Sequence, residues 1–162
     1  MKNLMTLCFL LTLIASGLTS CHEEYLDGDW DPMEWTEPEG LTQIKDRMYQ
    51  VPDTGGTYTM TCTNYTSWFI NCAESGDTIY SAYGKRYVVH TAKGDSLGDL
   101  LPSETPNLLQ LTGDWFEALH DQANLVVTFD PLPDTVATRT VILDILAGDT
   151  GADFYFVQGK KQ

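Results

Sequence analysis

Hydrophobic and polar positions alternate with a period of two along much of this chain, the spacing of strands with one buried face. The clearest run is Thr57-Tyr58-Thr59-Met60-Thr61-Cys62-Thr63, with threonine on one face and Tyr58, Met60 and Cys62 on the other. Gly55-Gly56 before it marks a turn. The same alternation puts Trp68, Ile70 and Cys72 on the buried face of the next strand. Leu125, Val127 and Phe129 share a face over 124–129, as do Val141, Leu143 and Ile145 over 138–146. Gly148-Asp149-Thr150-Gly151 predicts a turn into a closing strand over 153–158, with Phe154 and Phe156 on one face and Tyr155 and Val157 on the other. Residues 79–83 and 87–90 are weaker strand candidates, and the pattern is β from Leu41 onward. Residues 91–113 mix Gly, Pro and polar residues and read as a long loop, a kind of segment that often carries function. No stretch has helical spacing. Short strands separated by turns, without helices, predict an all-β sandwich.

The N-terminus follows different rules. Lys2 precedes an apolar run from Leu4 to Ile14, interrupted by Thr6 and Thr12 and followed by Ala15-Ser16-Gly17. This reads as an export signal over residues 1–20, too short for a comfortable membrane-spanning helix, which needs about 20 apolar residues. Leu18-Thr19-Ser20-Cys21 resembles the lipobox of bacterial lipoproteins, in which the cysteine becomes the lipidated first residue. The resemblance makes Cys21 the lipidation site and the outer membrane the partner of its acyl chains, which together anchor far more firmly than one chain alone. Residues 21–40 hold eight acidic residues, no Lys or Arg, and Gly28, Pro32, Pro38 and Gly40. They read as an acidic, self-repelling tether, able to reach about 65 Å when stretched. Its tryptophans, Trp30 and Trp35, are unusual in a linker and are candidates for docking on the domain or for partner contacts. His22-Glu23-Glu24 and the aspartates after it resemble the export signal of surface lipoproteins of the Bacteroidetes, which implies the cell surface, with the periplasmic face as the alternative.

The remaining residues, 41–162, suffice for one domain. A formal net charge of −14, one unit more negative once Lys2 is removed, argues against nucleic acid as a partner. Cys62 and Cys72 are the cysteines left in the domain, and an exported location permits a disulfide. If residues 64–67 make a hairpin turn, the two lie roughly 10 Å apart, too far for a bridge, whereas strands in different sheets would relax this. Two buried thiols and a disulfide both stay open.

Gly55-Gly56-Thr57-Tyr58, followed by Asn64-Tyr65-Thr66-Ser67-Trp68-Phe69-Ile70, resembles the opening strands and tryptophan of BACON domains (Bacteroidetes-associated carbohydrate-binding, often N-terminal). Arg139-Thr140-Val141-Ile142-Leu143 and Phe154-Tyr155-Phe156-Val157-Gln158 are similar to that family's last two strands. Asp29-Trp30-Asp31-Pro32-Met33-Glu34-Trp35 resembles the segment before the domain in small lipoproteins that carry one such module. The match spans residues 41 to 160, and the stretch from Tyr80 to Asp114 is longer than a minimal member needs. The resemblance implies an immunoglobulin-like antiparallel β-sandwich, and a role near glycan or mucin without catalysis.

Candidate chemistry is sparse. His22, His90 and His120 lack metal-ligand spacing, and no nucleophile–histidine arrangement has a recognisable setting. Asp27, Asp29 and Asp31 imitate the start of a calcium loop, but Pro32 stands where that loop needs glycine and Pro38 where it needs glutamate, so no metal and no cofactor is expected. Sugars are held by stacking on an exposed aromatic beside polar side chains. Trp115, Phe116 and Asp114, after the long loop, fit that composition, with Tyr83 from a second cluster that includes Tyr80 and Tyr87. Trp68 reads as core. Asp77-Thr78-Ile79, Asp95-Ser96-Leu97 and Asp134-Thr135-Val136 resemble a short O-glycosylation motif of exported Bacteroidetes proteins. The expected function is a binding or display module in contact with glycan or mucin. The alternative is an accessory protein docking on another envelope protein through Trp30 and Trp35.

Overall fold

A computed structural model describes residues 30–92, 94–103, 107 and 109–160. The export signal, Cys21 and the first part of the tether lie outside the described residues. Among the described residues, thirteen strands form two sheets: β1 Thr42–Lys45, β2 Met48–Val51, β3 Gly56–Thr61, β4 Phe69–Ser75, β5 Thr78–Ser81, β6 Gly84–Thr91, β7 Gly94–Leu97, β8 Leu101–Pro102, β9 Gln110–Thr112, β10 Phe116–Asp121, β11 Asn124–Phe129, β12 Thr138–Ala147 and β13 Thr150–Gly159. The large sheet runs β1-β2-β13-β12-β4-β5-β6-β7, with β8 also on β6, and the small sheet runs β3-β11-β10-β9. The protein is an immunoglobulin-like, antiparallel-dominated β-sandwich. The parallel pair β2–β13 is the exception, since β2 joins the large sheet from the N-terminal side before the chain crosses to β3 in the other.

The alternation read from the sequence governs the core. Val141, Leu143, Ile145, Phe154 and Phe156 from the large sheet meet Met60, Leu125, Val127 and Phe129 from the small one. Each is buried on the inner side while its neighbours along the strand face out, as two packed sheets require. The crossing from β2 to β3 depends on Gly55. Its φ is +71°, and a Cβ there would lie 2.2 Å from the Phe129 carbonyl oxygen.

Two expectations about the cysteines change. Residues 64–67 are not a hairpin turn, because β3 and β4 belong to different sheets. Cys72 is also not on the buried face. Between Ile70, which pairs Ile145, and Cys72, which pairs Asp144, Asn71 is an extra residue in β4. This β-bulge inverts the alternation beyond it, so Ala73 turns inward and Cys72 outward beside Asp144. Cys62 is buried, Cys72 is half-buried, and both are free thiols. Burial, then the nearby carboxylates of Asp144 and Glu74, pushes the Cys72 thiol up to about 11, so it stays protonated and a poor nucleophile.

The stretch read as a tether is part of the sandwich from Asp31 onward. Met33 is buried, and Trp35 packs edge-on against Trp68 at 5.3 Å and Phe154 at 5.0 Å. Trp35 forms a β-bridge with Cys62, continuing the line of β3. The Asn64 side chain clamps this strap from both sides, donating to the Pro32 carbonyl at 2.8 Å and accepting from the Glu34 amide at 2.9 Å. The Tyr65 hydroxyl donates to the Asp31 carbonyl at 2.8 Å. Met33 and Trp35 point the same way because they are two residues apart on an extended strand. Composition hid this: acidic residues fill the positions between the apolar anchors.

The Tyr80 to Asp114 region adds a wing to the large sheet. β6 continues past β5, and β7 and β8 pair along its free side in place of a structureless loop over 91–113. Tyr87, Val89, Leu97, Leu101 and Leu109 are all exposed here. His90 on β6 ties the wing to the rest: its Nδ1 is 2.7 Å from Asp95 of β7, and its Nε2 is 3.1 Å from Asp77 in the β4–β5 turn. Hydrogen bonds to Asp77 first, then Asp95, raise its pKa above the ordinary 6.5. The folded chain therefore binds this proton more tightly than the unfolded one. The fastening is fully present below pH 6.5 and is lost as pH rises through the elevated folded value. A proton-NMR titration is expected to find His90 titrating above the ordinary value, and Asp77→Asn with Asp95→Asn to bring it back. An unshifted His90 in the unmodified chain would contradict the two-carboxylate geometry.

Candidate functional site

A concavity lies where the wing meets the small sheet, and it follows from the pairing of β5 with β6. Ser81 pairs Gly84, so Ala82 and Tyr83 form a two-residue hairpin loop at one end of the cleft. β8 then comes back along β6, pairing Leu101 with Lys85 and Pro102 with Gly84. This close return requires glycine at 84: its φ is +137°, and a Cβ would lie 2.1 Å from the Leu101 carbonyl oxygen. Facing this layer are β9 and the turn into β10, Gln110 to Asp114. The open cleft has a volume of about 560 Å³, the size range of small-molecule sites. Its walls are mixed. Tyr80, Ala82 and Leu111 supply apolar surface, and Ser81, Ser103, Asn107, Gln110 and Thr112 supply hydroxyl and amide groups.

Among the described residues, Lys85 and Asp114 are the charged side chains that line the cleft. Lys85 Nζ is 3.5 Å from an Asp114 carboxylate oxygen. The Tyr80 hydroxyl lies near Asp114. Burial first and then Asp114 raise the pKa of Tyr80, which stays a protonated donor. Lys85 Nζ also sits 5.8 Å from the centre of the Tyr87 ring. The Tyr87 hydroxyl first and Asp114 next hold the Lys85 ammonium above its ordinary pKa. Tyr83, between the lining residues Ala82 and Gly84, keeps more than half of its side chain in solvent, at 59 % exposure, and its carbonyl accepts from the Ser103 amide.

The four residues proposed from the sequence as a ligand face are thus divided. Asp114 lines the cleft and Tyr83 stands beside it. Trp115 and Phe116 face the core and are corrected to structural roles. Phe116 is 3 % exposed and packs edge-on against Tyr80 at 5.5 Å. Trp115 is 9 % exposed, its Nε1 donates to Ser75 Oγ at 3.0 Å, and the Arg139 guanidinium covers its ring at 4.3 Å. A tryptophan so covered offers no face to a sugar. Trp35, the other residue considered for partner contacts, is spent on the strap, whereas Trp30 is 49 % exposed. Lys85, Ser81, Gln110 and Thr112 were missed in the sequence, because what unites them is the return of β8 along β6 and the approach of β9, neither of which has a local signal. Among the described residues, no group of three His, Cys, Asp or Glu could hold a metal ion.

No family model and no curated protein matches the chain. Among solved structures, an NMR structure of a protein from Bacteroides thetaiotaomicron superposes with a TM-score of 0.56 at 22 % sequence identity, covering 85 % of this chain and 95 % of that one. At that identity the likeness is one of fold.

Proposed function

We propose that the protein is a BACON-like, lipid-anchored binding or display module of the outer membrane, facing the cell surface, and that it holds carbohydrate without transforming it. The observation that carries the binding reading is the cleft itself. Its wall of hydroxyl and amide groups suits the hydroxyls of a pyranose, and the hairpin loop at its end carries the exposed Tyr83, a ring on which a sugar can stack. Anchoring through Cys21 rests on the lipobox-like Leu18-Thr19-Ser20-Cys21 and the apolar run before it. The strap shortens the part of residues 21–40 free to act as a spacer, which would bring the sandwich nearer the membrane.

The test is a screen of the purified protein on mucin and polysaccharide glycans beside two variants. Tyr83→Ala removes an exposed ring and is expected to leave the fold intact while weakening binding by about tenfold, the equivalent of 1.4 kcal/mol. Gly84→Ala displaces β8 and is expected to abolish binding. Saturable binding that neither variant alters would place the ligand elsewhere. No binding by a folded protein would favour the second reading, an accessory protein docking on an envelope partner. That reading draws on the exposed apolar side chains of the wing, Tyr87, Val89, Leu97 and Leu101, a grouping typical of protein contact surfaces.

A further inference from the structure

We infer that the cleft is selective for neutral saccharides and discriminates against acidic ones, with the Lys85–Asp114 pair as the specificity-determining element. This rests on the carbohydrate reading above and goes beyond it by fixing the charge class of the ligand. A carboxylated or sulfated sugar needs a cation, and among the described residues Lys85 is the cation that lines the cleft. Its ammonium is already committed, 3.5 Å from Asp114 and beside Tyr87. An anionic sugar would have to draw Lys85 away and would then meet the released Asp114 carboxylate. That carboxylate lines the cleft beside Tyr80, which is itself buried against Phe116. The other polar lining groups, Ser81, Ser103, Asn107, Gln110 and Thr112, are uncharged and suit hydroxyls and acetamido groups.

The long-range field acts in the same direction. A chain of net charge −14 repels polyanions before any contact is made, and this repulsion is screened by salt. The two effects are separable. The field weakens with ionic strength, whereas an anion in direct contact with Asp114 sits well inside the Debye length and is screened less.

The experiment compares one mucin O-glycan pool before and after removal of sialic acid and sulfate, measured on the purified protein at low and at high salt. The stripped pool is expected to bind more tightly by about tenfold or more, with part of the difference surviving at high salt. Asp114→Asn keeps the side chain's shape, removes its charge and frees Lys85. It is expected to shift the ratio of acidic to neutral binding toward the acidic pool by about tenfold, whatever it does to the neutral affinity alone. Acidic glycans bound as tightly as neutral ones, or more tightly, would overturn the inference and leave the carbohydrate reading standing. A ratio unmoved by Asp114→Asn would overturn the role of the pair. Binding of neither pool by a folded protein would overturn both.

Discussion

Replacing Gln158 with leucine is expected to destabilise the protein by about 3 kcal/mol without disturbing any residue of the cleft. Gln158 is fully buried near the end of β13, in a position where volume alone would favour an apolar residue. Its amide is used at every polar atom. Nε2 donates to the Pro52 carbonyl at 2.8 Å and to the Asp130 carbonyl at 3.0 Å, and Oε1 accepts from Arg139 Nε at 2.7 Å. Arg139 in turn donates to the carbonyls of Asp130 and Pro131 and lies over Trp115. One side chain thus ties together the end of β2, the end of β11 and the start of β12, where the chain passes between sheets. Leucine keeps the volume and leaves a partly buried guanidinium without one of its acceptors. Pro52 and Asp130 each keep one other donor, Gly55 and Arg139, which is why the expected loss is not larger. Urea unfolding read by tryptophan fluorescence would measure it. A midpoint equivalent to less than about 1 kcal/mol of change would mean that water replaces the amide and that the corner is not sealed.

How much of this was legible beforehand depended on whether the controlling interaction was local. The faces of β3, β11, β12 and β13 followed from alternation, because a strand with one buried side imposes a period of two on its own sequence. Cys72 was misplaced because a single extra residue, Asn71, reverses the period, and nothing in Phe69-Ile70-Asn71-Cys72 marks it. The β1–β2 hairpin and β10 were under-read for a related reason. Thr42–Lys45 is exposed on both faces, and the aromatic pair Trp115-Phe116 looked like surface chemistry when its partners, Ser75, Arg139 and Tyr80, lie 24 or more positions away along the chain. The cleft was the least legible part. Asp114 and Tyr83 were named from composition, but Lys85 enters only through a cross-strand register, and Gly84 shows its purpose only when β8 lies against it.

Trp35→Ala is expected to cost about 3 to 5 kcal/mol, and a chain that begins at Leu41 is expected not to fold stably at all. The argument is one of uncovered surface. Trp35 closes the end of the sandwich by lying edge-on to Trp68 and Phe154, and Met33 fills the adjacent position. Removing the indole leaves a void that neither sheet can collapse into, since Trp68 is itself pinned by stacking on His120 at 3.7 Å. Removing the whole strap also strips the hydrogen bonds that Asn64, Tyr65, Thr61 and Thr63 make to it. It exposes the Cys62 end of β3 as an unpaired edge, which invites association. Losses of that size approach the total stability of an ordinary domain, about 5 to 15 kcal/mol. Thermal unfolding of chains beginning at Trp30 and at Leu41 would separate the alternatives. Equal melting temperatures would return residues 31–40 to the role of a spacer. A cooperative transition present in the longer chain and absent in the shorter would make Asp31 the physical start of the domain.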